Sequence, residues 1–141
     1  MRTVGVFNVI QNDSTILLIK RNNPPLWDLP GGTLEQNEQV LECLQRTTFE
    51  ETGLITEPIK KVGTFINQNL ADEQIIYCSK VVAGSLKKDG IQLKFTALKH
   101  LPLAMVPHRK KQIKLALTND REVVTNVADS SIVKLIKKIK H

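Results

Sequence analysis

The sequence has few aromatic residues, few cysteines and no long apolar run. Four phenylalanines, one tyrosine and one tryptophan are its only aromatic residues, and no apolar run approaches the roughly 20 residues that span a bilayer. The two cysteines, Cys43 and Cys78, stand apart among apolar residues, without the spacing of a disulfide framework or a zinc site. We therefore expect two reduced, buried thiols in a cytoplasmic protein that does not enter a membrane. The N-terminus turns into a strand pattern at once, which predicts no signal peptide.

The balance of charge favours an anionic partner. The chain has 20 Lys plus Arg against 14 Asp plus Glu, a formal net charge of +6. Nucleotides, nucleic acid and acidic surfaces all fit such an excess, and charge alone selects none of them. At 141 residues, 41% of them hydrophobic, the composition predicts one globular domain over residues 1–141.

Hydrophobic periodicity predicts a mixed-sheet α/β sandwich. We expect strands at 3–10, 15–20, 26–29, 59–66, 74–83, 91–98 and 122–127, and helices at 37–52, 108–117 and 130–140. In the first helix, Val40, Leu41, Leu44 and Thr48 recur at helical spacing and could line one buried face, and Gly53 would end it.

The first helix and the turn before it contain the residues that predict chemistry. Glu50 and Glu51 stand next to each other, one turn after Arg46, which can hold a carboxylate in place. Adjacent carboxylates repel unless a cation or an arginine neutralises them, and hard oxygen ligands suit Mg²⁺ or Mn²⁺ bridging to phosphate. Gly31 and Gly32 allow the backbone to approach a ligand closely. The pattern predicts metal-assisted attack of water on a phosphoanhydride, whereas two glutamates alone would more often be a solvated helix face.

The spacing of these residues resembles the Nudix box. Gly32 is followed after five residues by Glu38, after seven more by Arg46, and then by Glu50, Glu51, Gly53 and Leu54. The lead-in from Trp27 through Pro30 to Gly32 is also similar to that of the family. Residues 32–54 therefore form the box, and the whole chain is identified as a candidate Nudix-like α/β/α sandwich.

The resemblance implies a role for each matching residue. Glu50 and Glu51 would bind the divalent cation, Mg²⁺ or Mn²⁺, together with a backbone carbonyl of Gly31 or Gly32. Glu38 and Arg46 would orient the loop and the helix through ion pairs. The implied activity is hydrolysis of a nucleoside diphosphate linked to another moiety.

The sequence departs from the box directly after Arg46. Thr47 stands where the family has a glutamate that binds metal and often activates water, and Thr48 replaces the aliphatic residue that follows. Threonine cannot accept a proton at neutral pH, and losing a general base typically costs about 10²- to 10⁴-fold in rate. Asp89 and Glu73 are alternative downstream acids, although Asp89 also suits a turn before Gly90.

Further basic and aromatic residues could contact a substrate. Arg21 could reach a phosphate, and Trp27 could either stack on a base or pack beside the loop. The basic run 108–111 opens a helix against its dipole, which is compatible with a phosphate-facing patch. The lysine-rich segment 130–140 is amphipathic; a helix docked on the core or across a homodimer is the commoner explanation, with a membrane surface or nucleic acid as alternatives.

Two hypotheses follow. The first is a divalent-metal-dependent pyrophosphohydrolase that acts on a nucleotide-derived small molecule. The second, favoured by Thr47, is a catalytically impaired Nudix module that binds a nucleotide as a sensor or regulator. ADP-ribose, a dinucleoside polyphosphate and an oxidised nucleoside triphosphate all stay open as ligands.

Overall fold

The computed structural model describes residues 2–88 and 92–127, which contain eight strands and two α-helices. The strands are β1 (Thr3–Asn12), β2 (Thr15–Lys20), β3 (Trp27–Asp28), β4 (Gly31–Thr33), β5 (Leu54–Asn67), β6 (Asp72–Gly84), β7 (Leu93–Ala97) and β8 (Val123–Asn126). The helices are α1 (Val40–Thr52) and α2 (Arg109–Thr118). The predicted helix at 130–140 lies outside the described residues, as does the start of the strand predicted at 91–98.

The strands form one mixed sheet. Its order is β3-β2-β1-β6-β5-β8, with β4 paired to β1 and β7 paired to β2. The pairs β1–β6 and β5–β8 are parallel, whereas the other pairs are antiparallel. The predicted mixed sheet is therefore confirmed.

The two helices cover opposite faces of this sheet. Side chains alternate between the faces of a strand, and β1 shows the consequence. Val6 packs in one cluster with Leu44 of α1, while Phe7 and Val9 pack in another with Ile113 of α2. The α/β/α sandwich expected from the sequence is thus confirmed.

The start of α1 corrects the predicted helix bounds. The helix begins at Val40 and not at 37, because Asn37 has a φ of 67°, in the left-handed region that helices do not use. The backbone N–H of Gln39 donates to the Glu42 carboxylate (3.0 Å), which caps the first turn. Leu41 is 48% exposed, so its predicted place on the buried face was wrong.

The end of α1 leads directly into β5. Gly53 ends the helix as expected, with a φ of 80°, and a Cβ at this position would lie 2.4 Å from the carbonyl oxygen of Ser85. The next strand starts at Leu54, five residues before the predicted start at 59. Pro58 hid this extension, because a proline weakens a strand pattern; it lies at a register shift between β5 and β6.

Candidate active site

The loop before α1 is fastened to the helix by Arg46. Its Nε and Nη2 donate to the two carboxylate oxygens of Glu38 (2.7 and 3.0 Å), and Nη2 also donates to the carbonyl oxygen of Thr33 (3.2 Å). Glu38 in turn accepts from the backbone N–H of Glu35 (3.0 Å). The hydrogen bonds from Arg46, followed by that from Glu35, lower the pKa of Glu38 to about 2. Arg46 and Glu38 are placed where they would orient the loop and the helix.

Glu51 is held against the Gly31–Gly32 turn. Its Oε1 accepts from the backbone N–H of Gly31 (2.8 Å), and its Oε2 accepts from Nη1 of Arg21. Arg21 also donates to the carbonyl oxygen of Leu29 (2.9 Å). Burial alone would lower the pKa of Arg21, but the hydrogen bonds and charges of Glu51 and Asp28 together outweigh it and raise the pKa. The structure therefore pairs Arg21 with a helix carboxylate and brings Gly31 into the site through its N–H.

Glu50 faces solvent beside this pair. Its side chain is 60% exposed, and its Oε2 lies 3.3 Å from Nη1 of Arg46 one turn earlier. The ammonium group of Lys87 donates to the Glu50 carbonyl oxygen. Glu50 and Glu51 thus differ sharply in environment although they are neighbours in sequence.

Thr47 lies beneath the turn, on the same helix face as Glu51. It is 4% exposed, and its hydroxyl donates to the carbonyl oxygen of Cys43 (2.8 Å). Its methyl carbon Cγ2 would lie 3.0 Å from a Cβ built on Gly32. Residues four apart share a helix face, so position 47 points toward the turn, where it presents a methyl group.

Thr48, the next residue along α1, is buried against the sheet. Its hydroxyl accepts from the side-chain amide of Asn8 (3.0 Å), which also donates to the hydroxyl of Thr56 (3.2 Å). A buried polar cluster therefore joins α1 to the sheet at this point.

A second arginine, Arg109, enters the site from α2. It is 1% exposed, and its Nε donates to Oδ1 of Asp28, whose Oδ2 lies 3.3 Å from Nε of Arg21. Asp28 therefore bridges two arginines, and Arg21 connects it to Glu51. The run 108–111 is compatible by sequence with a phosphate-facing patch, but Arg109 does not belong to such a patch, because its side chain is buried and paired.

The remaining contacts of Arg109 fix its orientation. Its Nη1 donates to the amide oxygens of Gln74 and Gln112 (2.9 Å to Gln112), and its guanidinium lies 3.9 Å from the centre of the Phe7 ring. Neither Asp28 nor Arg109 was singled out as a site residue from the sequence. One signal was available: Arg109 shares the helical spacing of the buried Ile113 and Ala116.

Trp27 lies near the site but is covered by lysines. The Nζ atoms of Lys94 and Lys20 lie 4.5 and 6.0 Å from the centre of its ring. Its backbone N–H donates to Ala104, and its carbonyl oxygen accepts from Val106 (both 2.8 Å). A base stacked on the face beneath Lys94 would have to displace that lysine.

Two carboxylates beside the turn, those of Glu50 and Glu51, could hold a cation shared with a phosphate. Within residues 2–88 and 92–127, no three His, Cys, Asp or Glu side chains come together as a metal site. Glu73 is in register with Val4, whereas Gly31 is in register with Phe7, about 10 Å further along β1; Asp89 lies outside the described residues. Of the acids predicted from the sequence as metal ligands or base, this leaves Glu50 and Glu51, and Mg²⁺ commonly uses one or two carboxylates plus substrate phosphates.

A cavity of about 180 Å³ lies at the far end of the Arg109 contacts. Its apolar and polar lining residues are Phe65, Leu70, Val106, Pro107 and Val127 with Asn67, Asp72, Gln74, His108 and Gln112. Gln74 and Gln112 are the two residues that accept hydrogen bonds from Arg109. The cavity and the box are thus connected through buried polar side chains.

Comparison with known proteins identifies the family. The model of the NUDIX domain matches residues 1–117. A putative 8-oxo-dGTP diphosphatase of Bacillus subtilis (strain 168) is 36% identical over 144 aligned residues, which cover 99% of this chain and 97% of the relative. An ADP-ribose pyrophosphatase of Methanocaldococcus jannaschii is 34% identical over 116 residues, 76% of this chain and 69% of the relative. The crystal structure of a mutator MutT protein from Bacillus halodurans has a TM-score of 0.75 at 22% identity and covers 93% of this chain and 92% of its own, which shows the fold.

The chain belongs to the Nudix family, as the box predicted. The predicted enzyme class, a Nudix-type pyrophosphohydrolase, is confirmed at the level of the family. No helix in the described ranges has the length and apolar character needed to cross a membrane.

Proposed function

We propose that this protein hydrolyses a phosphoanhydride bond in a nucleoside diphosphate linked to another moiety, with a divalent cation, Mg²⁺ or Mn²⁺, bound at Glu50 and Glu51. The observation that carries this proposal is the position of Glu51, whose two oxygens are held by Arg21 and by the N–H of Gly31 beside the glycine turn. A fixed carboxylate at a turn that permits close backbone approach is suited to holding a cation and a diphosphate together.

The cation would supply charge stabilisation for the pyrophosphate as the bond breaks. Arg46 and Glu38 keep the loop aligned with α1 through their paired hydrogen bonds. Gly32 lets the substrate approach the helix, because it has no side chain above Thr47.

Glu50 is the candidate for the base that activates water. Both oxygens of Glu51 accept hydrogen bonds within the protein, whereas Glu50 is 60% exposed and contacts Arg46 through Oε2 alone. A base must reach the proton that it removes, and the solvent-facing carboxylate is the one that meets an incoming water molecule. Thr47 cannot take this role, because its hydroxyl is buried and donates to Cys43.

Thr47 also supports a second candidate function, a module that binds its nucleotide and turns it over very slowly. One carboxylate fewer weakens the hold on a cation and removes a possible base. The two candidates make opposite predictions for the same set of variants.

The experiment measures phosphate and nucleotide release from a panel that includes 8-oxo-dGTP and ADP-ribose, with Mg²⁺ or Mn²⁺. The variants are Glu50→Gln, Glu51→Gln and Thr47→Glu, and Glu57→Gln on the exposed side of β5 is the matched control for lost charge. If the protein is a hydrolase, the wild type should turn over a substrate. Glu51→Gln and Glu50→Gln should each lower the rate of hydrolysis by about 10²-fold or more, whereas Glu57→Gln should not. Binding without turnover by the wild type, with turnover gained in Thr47→Glu, would instead establish the binding module.

A further inference from the structure

We propose that Arg109 is a positioning residue for Glu51 and that it couples the cavity beside α2 to this carboxylate. The contacts run from Gln112 at the cavity through Arg109, Asp28 and Arg21 to Glu51. In assigning Glu51 a part in hydrolysis, the inference rests on the proposed function. The coupling itself is a property of the folded protein and is measurable without turnover.

The first step is the fixed orientation of Arg109. Its guanidinium is buried, donates to three side chains and lies 3.9 Å from the centre of the Phe7 ring. A guanidinium presents its donors in a rigid planar fork, so fixing several of them fixes all of them. Arg109 therefore sets where the Asp28 carboxylate can lie.

The second step is the bridging role of Asp28. Its Oδ1 accepts from Arg109 and from the backbone N–H of Leu29 (2.7 Å), and its Oδ2 lies 3.3 Å from Nε of Arg21. Buried charges on one hydrogen-bonded path interact strongly and do not behave as independent contacts. A rotation of Asp28 would consequently move the Arg21 guanidinium.

The third step is the dependence of Glu51 on Arg21. Arg21 lies at the end of β2 and has a long side chain that is only partly buried, so its guanidinium needs Asp28 and the Leu29 carbonyl to hold it. Oε2 of Glu51 is bound by this guanidinium, and Oε1 by the N–H of Gly31. A displacement of about 1 Å at a catalytic group can cost roughly 10²-fold in rate.

The fourth step connects the other end of the path to the cavity. The amide oxygens of Gln74 and Gln112 accept from Arg109, and both residues line the cavity. A ligand group with hydrogen-bond donors or acceptors that enters this space meets the two amides that hold Arg109. Its binding would bias the orientation of Arg109 and therefore that of Glu51.

The coupling is tested by NMR of the arginine Nε–Hε groups, without any substrate. Arg21→Lys and Arg109→Lys assign the two resonances. Gln112→Leu removes an acceptor of Arg109 and should shift the Arg21 resonance, although Gln112 does not contact Arg21. Lys114→Met, at an exposed position of the same helix, should leave the Arg21 resonance unchanged. An Arg21 resonance that is the same in wild type and in folded Gln112→Leu would overturn the inference.

Steady-state kinetics adds the functional measurement. With a substrate that the wild type hydrolyses, Arg109→Lys keeps the charge but loses the fork, and we expect kcat to fall about 10- to 100-fold with KM changed less than about twofold. Lys114→Met should change neither kcat nor KM. An effect of Arg109→Lys on KM alone would contradict a role in positioning Glu51. A wild type that hydrolyses nothing would refute the proposed function, while the Arg21 resonance would still decide the coupling.

Discussion

Alanine at Gly31 and alanine at Gly32 should have very different effects, although the two glycines are neighbours in the same turn. Gly31 has a φ of 155°, and a Cβ there would lie 2.3 Å from the carbonyl oxygen of Val6 and 2.7 Å from the Cα of Phe7. At Gly32 the nearest atom is Cγ2 of Thr47 at 3.0 Å. The first contact is with the backbone of a paired strand, whereas the second is with a methyl group that can shift by a few tenths of an ångström.

These distances give an order of magnitude for each substitution. Backbone strain at Gly31 costs about 1–3 kcal/mol and overpacking about as much again, so we expect Gly31→Ala to lose roughly 2–6 kcal/mol of unfolding free energy. For Gly32→Ala, about 1 kcal/mol of overpacking is largely offset by about 0.4–1 kcal/mol from the less flexible unfolded chain. Gly32→Ala should therefore be close to neutral.

A double-mutant cycle with Thr47→Ser makes the test specific. Serine keeps the hydroxyl that donates to Cys43 but removes the methyl that faces Gly32. In urea unfolding followed by circular dichroism, Thr47→Ser should couple favourably with Gly32→Ala, by at least about 0.5 kcal/mol. It should not rescue Gly31→Ala. Equal losses for the two alanines, or equal coupling of both to Thr47→Ser, would refute the packing described for this turn.

Three further outcomes follow from charges and burial. The lowered pKa of Glu38 means that its pairing with Arg46 stabilises the fold above about pH 4.5 and that this contribution is lost as the pH falls toward about 2. The difference in melting temperature between wild type and Glu38→Gln should therefore shrink across that range and stay constant above it. Burial, followed by the charge of Glu38, raises the pKa of Cys43 to about 11, and burial also raises the pKa of Cys78. Because both thiols are buried, they should react with iodoacetamide only at the rate of unfolding. Modification of the folded protein would contradict their burial. Arg109→Met should lose about 3–5 kcal/mol of unfolding free energy, because it leaves buried acceptors without their donor. A loss under about 1 kcal/mol would show that these contacts contribute little.

The parts of the site that lie close together in sequence were predictable. The spacing of Glu38, Arg46 and Glu50 placed three charged groups on one turn and helix, and the structure joins them by ion pairs. The family follows from the same residues. Hydrophobic periodicity predicted the helix and strand positions, but two boundaries were wrong. The left-handed backbone at Asn37 delays the start of α1, and Pro58 interrupts the strand pattern of β5.

The parts that depend on distant segments were not predictable. Asp28 and Arg109 are separated by 81 positions, and a single sequence contains no signal that pairs them. The basic run at 108–111 suggested solvent or phosphate, because four consecutive basic or titratable residues are usually exposed. Only the tertiary structure shows that Arg109 turns inward while Lys110 stays in solvent.

The burial of Thr47 determines whether the turn can accommodate a glutamate at position 47. Position 47 lies under Gly32 and shares a helix face with Glu51, so a glutamate there would have to extend past the glycine turn toward the carboxylate that Arg21 and Gly31 already hold. Two carboxylates on this face would repel each other unless a cation were shared between them. A Thr47→Glu variant that is less stable than the wild type without divalent cations, and regains stability with them, would show that the turn still has the shape of a metal site. The same variant destabilised with and without cations would show that threonine now serves the packing of the turn and that the carboxylate can no longer be accommodated.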